Sequence, residues 1–306
     1  MWRGVWGLQI DERRVGLCWT RRKLQGLDVQ RGGSHPVPPG LLIPSLTEPN
    51  VVDEEAFIAV LKKLLAEAGW RGGSTVVALP DLSCRIGYQD FTEVKGRPAE
   101  MRQFLGWRMK DRLPFPLQEA RIDYQALPSP GNGTRLLYLL ARQAVMSQYE
   151  SLLARAGIEP TRIIPQGLAL YRLLAIAGMR GKQLFLSPGS SSDVFIYCDE
   201  GVPYLWRVRP RDENGGAHDS DHRIERIARE LHETITYLEE EMSVGKPDGL
   251  VLPAGTEPAL ADACKKTCHL PVHAVPVPEL RLPVDLLPAA GAALLQPAPR
   301  FRWTSR

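Results

Sequence analysis

Long apolar runs are missing from this sequence: none approaches the ~20 residues that a bilayer-spanning helix needs. The opening Met1-Trp2-Arg3-Gly4-Val5-Trp6 also lacks the apolar core and small-residue cleavage site of a secretion signal. The reading is therefore a chain that stays in the cytosol unless a partner tethers it. Cysteine is scarce, five in 306 residues. An odd handful in so long a chain predicts free thiols in a reducing compartment, not a disulfide framework. Charge of one sign is also in short supply, with 38 Lys and Arg against 35 Asp and Glu. That excludes the concentrated basic surface of nucleic-acid binders, and the short clusters at Arg13-Arg14 and 21–23 read as solvated turns.

Metal and nucleophile patterns are equally thin. His218 and His222 stand four apart around Asp219 and Asp221, but Ser220 or Asp221 at that place reads as a helix N-cap. Cys264, Cys268, His269 and His273 do not follow a zinc spacing, so both cysteines are expected in a core. Ser190, Ser191 and Ser192 have no nearby His/Asp grouping to activate them.

What is present is a globular composition, 44% hydrophobic and 24% charged, in a chain long enough for about two domains. Strands are expected at 5–10, 15–20 and 27–30, followed by a Pro/Gly-rich connection at 35–49. Asp53 caps a helix whose Phe57, Val60, Leu61, Leu64, Leu65 and Ala68 share one face, closed by Gly69. A short buried strand follows at 75–79.

The rhythm then changes. A strand is expected at 85–91 and a helix at 98–113 stopped by Pro114. Strands at 121–127 and 135–141 flank the turn Pro130-Gly131-Asn132-Gly133, and a helix at 145–156 follows. The last part repeats the opening, with strands at 183–186, 194–198 and 204–208. A polar loop at 212–221 precedes a long helix with the stripe Ile224, Ile227, Leu231, Ile235, Leu238 and Met242. This stripe reads as a core face in preference to a dimer seam. A strand at 249–252, a helix at 258–269, a strand at 272–275 and a helix at 287–295 complete the chain. Two copies of strand-strand-strand-helix-strand, the first carrying an insert, predict an α/β actin-like fold. It would have two ribonuclease-H-like lobes with a small α+β module inserted in the first. The expected boundaries are 1–82 for the first lobe, 83–165 for the module, and 166–306 for the second lobe with the return helix from the first.

The run from Phe104 through Arg108, Leu113-Pro114-Phe115-Pro116-Leu117 and Asp123-Tyr124-Gln125 to Leu127 resembles the signature of the PilM family of type IV pilus assembly proteins. There a helix enters a Pro-Phe-Pro-Leu turn and then a strand reading Asp-Tyr-Gln. Val76-Val77-Ala78-Leu79-Pro80 and the stretch from Tyr149 to Pro165 support the resemblance, which is strongest over 75–170. Similar modules occur in the cytoplasmic part of the secretion protein GspL and in the pilus protein MshI.

The resemblance implies a cytoplasmic scaffold that captures the N-terminal tail of a PilN-like bitopic inner-membrane protein between first lobe and module. Phe104, Arg108 and Phe115 are candidate partner-binding residues. In the actin superfamily each lobe's first hairpin turn wraps nucleotide phosphates with Gly and an acidic residue. Here Gln9 stands at the first acidic position, Asp11 at the glycine position, and Ser187 at the second acidic position. No catalytic residue and no required cofactor follow, and any residual ATP/Mg affinity would rest on Gly189, Ser190, Ser191 and Gly255. The rival readings are an actin-superfamily ATP-binding protein with weak ATPase activity and an FtsA-like division scaffold. The latter needs an amphipathic membrane helix, against which the proline-broken 296–306 segment argues.

Overall fold

The computed structural model describes residues 4–23, 26–91, 97–127, 133–176, 180–211, 220–242, 244–274 and 284–295. The chain divides into two units: Met1–Leu173 with Leu280–Arg306, and Leu174–Glu279.

In the first unit a five-stranded sheet runs in the order β3-β2-β1-β4-β8. Strands β1 (Val5–Ile10), β2 (Arg14–Lys23) and β3 (Gly26–Pro36) form an antiparallel meander. Strands β4 (Thr75–Leu79) and β8 (Pro160–Pro165) add in parallel beyond β1. Alternation along the strands sends Leu8, Ile10, Val15 and Leu17 to one face. They pack there against α1 (Glu54–Glu67) and α3 (Gln143–Arg155) through Phe57, Leu61, Leu64, Tyr149, Leu152 and Leu153, all buried. Helix α1 begins as expected, with the Asp53 carboxylate accepting the Ala56 N–H at 3.0 Å.

The other face is built for a helix backbone. A Cβ on Gly7 would lie 1.7 Å from the Ala289 carbonyl oxygen. Cβ atoms on Gly16 and Gly32 would each come within 2.9 Å of Leu286. Onto this glycine seat lies α7 (Leu287–Ala293), made of small residues. Its Gly291 leaves room for the Ala169 carbonyl of α4 (Gln166–Ile176), 2.0 Å from where a Cβ would stand. So the expected 166–306 segment divides differently: its C-terminal helix belongs to the first unit, and the second unit begins at residue 174.

The inserted module is a three-stranded antiparallel sheet in the order β5-β7-β6, from β5 (Arg85–Phe91), β6 (Ala120–Leu127) and β7 (Thr134–Arg142). Helix α2 (Pro98–Met109) covers one face, burying Met101, Leu105 and Met109. It gives way to a 3-10 turn at Lys110–Arg112 before Pro114, because the residue preceding a proline is pushed out of the helical region.

The second unit carries its own sheet, order β11-β10-β9-β12-β13. It is made of β9 (Lys182–Pro188), β10 (Ser192–Asp199), β11 (Val202–Pro210), β12 (Gly249–Leu252) and β13 (Val272–Ala274). Helix α5 (Ser220–Glu240) buries Ile227, Leu231, Ile235 and Leu238 on it, beside Cys264 and Cys268 of α6 (Pro258–Cys268). The stripe is a core face, and the two thiols are core residues. Each unit thus repeats three antiparallel strands followed by parallel ones, and the fold is actin-like with an α+β module inserted in the first lobe.

Gly7→Ala should cost about 3 kcal/mol or more in urea unfolding, since backbone must move to admit the methyl. Gly33→Ala, whose Cβ would meet only Leu64 at 3.9 Å, should stay within about 1 kcal/mol.

Candidate functional site

The first hairpin turn is closed by its own side chain. Asp11 lies between β1 and β2, and its carboxylate accepts the N–H groups of Arg13 at 2.8 Å and Arg14 at 2.9 Å. The Asp11 N–H in turn donates to the Arg14 carbonyl at 2.9 Å. Burial raises the Asp11 pKa against the pull of those two N–H groups. Both Glu12 carboxylate oxygens are tucked away without a hydrogen-bond partner. The N–H groups that would face a phosphate are therefore already holding an anion. An incoming phosphate would also meet two carboxylates, whose repulsion amounts to a few kcal/mol in a partly shielded cleft.

Gln9 is equally committed. It is 2% exposed, donates through Nε2 to the Asp285 carbonyl at 2.7 Å, and accepts the Ala289 N–H at 3.0 Å. Asp285 also takes Ser34 Oγ and Arg14 Nη1, each at 3.0 Å. The position where an actin-like ATPase keeps an acid is thus part of the α7 mooring.

In the second unit Gly189, Ser190 and Ser191 sit together in the β9–β10 hairpin. The Gly189 N–H donates to the Ser192 carbonyl at 2.9 Å, and a Cβ there would clash with that oxygen at 2.3 Å. The carbonyls of Ser190 and Ser191 are taken by Arg211, through Nη1 at 2.9 Å and the backbone N–H at 2.8 Å. Ser187 is buried on β9. Sequence reasoning passed over Asp193, fully buried and ion-paired with Arg226. Gly255 occupies a separate turn with φ +80, closed by Thr256 Oγ1 donating to the Pro253 carbonyl at 2.7 Å. His218 and Asp219 lie outside the described residues, as does 296–306.

The three candidate partner-binding residues separate. Phe104 and Arg108 stay together on α2, where the Arg108 guanidinium lies 5.9 Å over the Phe104 ring and 5.8 Å over Phe91. Trp107 stacks on Phe104 with centroids 6.3 Å apart and is 57% exposed. Phe115 is buried among Met109, Leu113 and Leu140, with Leu46 from the lobe packed on the same cluster. Arg142 lies over its ring at 6.0 Å. The Pro-Phe-Pro turn thus drives its ring into the seam between lobe and module.

That seam is locked from both sides. Arg142 binds Glu119 at 2.7 Å and the Thr47 carbonyl of the lobe loop. Asn50, fully buried, donates to the Ser45 and Glu48 carbonyls and accepts from Ser83 Oγ at 2.6 Å and Tyr149 OH at 3.1 Å. Gln148 of α3 accepts the N–H groups of Asn50 and Val51. Between these clamps lies a small apolar cavity lined by Leu79, Cys84, Leu139, Met146, Ile163 and Pro165.

Two buried carboxylates flank the seam: Asp81, which sequence reasoning missed, and Asp123, which it singled out only as part of the Asp-Tyr-Gln motif. Asp81 accepts the Gly167 N–H at the start of α4 with both oxygens, at 3.0 and 3.1 Å. Burial pushes its pKa up to about 7 despite that bond. Asp123 on β6 is 3% exposed, and its Oδ2 has no partner. Its other oxygen takes the Tyr124 N–H at 3.0 Å and faces Arg102 Nε at 3.6 Å. Burial raises its pKa over the opposing effects of Tyr124, Arg102 and Arg162.

No protein-family model matches the chain, and no curated protein matches it. Among solved structures, that of a PilM–PilN type IV pilus biogenesis complex aligns with a TM-score of 0.77 at 20% identity. The alignment covers 95% of this chain and 96% of that one. The cytoplasmic domain of Epsl, an inner-membrane component of the Vibrio cholerae type II secretion system, aligns with a TM-score of 0.53. Identity there is 11%, covering 95% of this chain and 94% of that one. The ethanolamine utilization protein EutJ from Carboxydothermus hydrogenoformans gives 0.51 at 14% identity, over 96% and 89%. These likenesses establish the fold. No helix among the described residues is long and apolar enough to cross a membrane.

The Asp81 environment gives a pH signature. Its folded pKa of about 7 exceeds the ordinary 3.8, so between these values the unfolded chain has released a proton that the folded chain keeps. Stability contributed by this residue therefore falls as pH rises from about 4 to 7, by at most about 1.4 kcal/mol per unit. Urea titrations across that range should show wild type losing ground to Asp81→Asn, with the difference levelling above pH 7.

Proposed function

We propose that this chain is a non-catalytic scaffold of a type IV pilus or type II secretion-like assembly at the inner membrane. In this reading it holds the N-terminal cytoplasmic tail of a PilN-like bitopic protein in the seam between first lobe and module. The observation that carries the reading is the end-to-end likeness to the PilM–PilN complex, over 95% of one chain and 96% of the other. The Epsl cytoplasmic domain, from an inner-membrane component, supports the same placement. An extended tail gains affinity from backbone pairing and selectivity from pockets for alternate side chains. The edge position of β6 among the described residues suits the first requirement, and the apolar cavity lined by Leu139 of β7 suits the second.

The absence of catalysis rests on Asp11 and Gln9, whose polar groups are spent on the turn and on α7. No cofactor is needed for scaffolding. A nucleotide-binding reading has one observation in its favour, the tight Gly189 hairpin, whose Ser190 and Ser191 carbonyls are held by Arg211.

Isothermal titration of the full chain with a synthetic peptide of the PilN-like tail should give a dissociation constant in the micromolar range, and deleting the peptide's first residues should abolish the heat. Millimolar Mg-ATP should leave the melting temperature unchanged, because a ligand of the folded state alone must raise it. A clear Mg-ATP shift with phosphate release would replace the scaffold reading.

A further inference from the structure

Buried carboxylate oxygens normally have hydrogen-bond partners, and each exception calls for a reason. Asp123 Oδ2 is such an exception on a strand whose outer side is open. Strand β6 ends the β5-β7-β6 sheet among the described residues, and Gln125 and Ala126 beyond Asp123 are exposed. The register pairs Asp123 with Leu139, so the two side chains lie on the same face of the sheet. Leu139 lines the seam cavity, so Asp123 lies on the cavity's side of the sheet without itself lining it. Arg162 of β8 is near enough to act on its charge while donating to the Leu295 carbonyl at 3.2 Å. Arg102 stands off at 3.6 Å, beyond a good hydrogen bond. Among the described residues, a desolvated acceptor thus stands on an edge strand with no hydrogen-bond donor completing it.

Resting on the scaffold reading above, we propose that Asp123 is a specificity-determining contact for the bound tail. Its Oδ2 accepts a side-chain N–H, amide or cationic, from a partner segment lying extended along β6. A site built around a buried acceptor rejects segments that lack the donor, because the acceptor would then stay unpaired.

This assignment predicts opposite signs for folding and for binding. In Asp123→Leu the desolvated charge is gone and the side chain adjoins Leu139 and the cavity. Its melting temperature should equal or exceed that of wild type, by up to about 4 °C, while affinity for the tail peptide falls by about 10-fold or more. Asp123→Ala supplies a second variant with the same loss of binding. The partner donor is found by replacing each Asn, Gln, Lys and Arg of the tail peptide with Ala. The replacement that weakens wild type but leaves Asp123→Leu unaffected identifies the pair. Equal affinity of wild type and both variants, or a marked fall in melting temperature for Asp123→Leu, overturns the inference. Failure of the wild-type chain to bind any tail peptide instead removes the scaffold reading, and the two failures are told apart in one titration series.

Discussion

Backbone contact between a helix and a sheet is the constraint on which the first unit depends. α7 lies so close to β1 that only a glycine fits at position 7, and the Gln9 amide is then the natural way to satisfy the helix's N–H and the carbonyl just before it. A carboxylate at position 9 could accept the Ala289 N–H but could not donate to the Asp285 carbonyl, and would leave that buried oxygen unpaired. The loss of the acidic side chain and the docking of the C-terminal helix are therefore one structural fact. The Asp11 turn completes the change: a side chain supplies the negative charge that such turns otherwise leave to a ligand.

The inserted module is fastened to the lobe by short polar bonds at both ends of the seam. Asn50 and Gln148 hold the lobe loop to α3, and Arg142 holds it to the module. Asn50 and Gln148 do this with neutral amides, whereas Arg142 also pairs with the carboxylates of Glu119 and Glu48, and exposed pairs of that kind contribute little. Between the clamps the seam stays apolar and slightly underfilled. In the scaffold reading proposed above, a slot fastened in this way would lose little further conformational freedom when a segment enters.

Much of this was legible in the sequence, because periodicity reports directly on burial. The stripes of α1, α3 and α5 and the strands β1, β4, β9, β10 and β12 fall where alternation and spacing put them. Strand β8 was missed because Pro160 and Pro165 read as breakers. At the edge of a parallel sheet their missing N–H groups cost nothing. The far half of β3 was missed because Gly32-Gly33 reads as a turn. Gly32 is there for close approach, its Cβ position only 2.9 Å from the Leu17 carbonyl. The departures at Gln9 and Asp11 were visible as substitutions, but what replaced the lost chemistry was not, since their partners lie at 285–289 or within the turn's backbone. Asp81 and Asp123 look like surface residues in sequence. Only tertiary packing buries them, and local pattern carries no record of it.

The Gln9 bonds span separations of 276 and 280 residues. On the ribosome β1 emerges long before its cover, and the contiguous stretch from 174 to 279 is made in between. The sheet must wait, one flank bare, until residues 285–293 have followed, whereas the second unit can condense on its own schedule. Removing that short helix would therefore strip strands almost three hundred residues away from it, and expose a glycine-lined surface to the first sticky neighbour it meets.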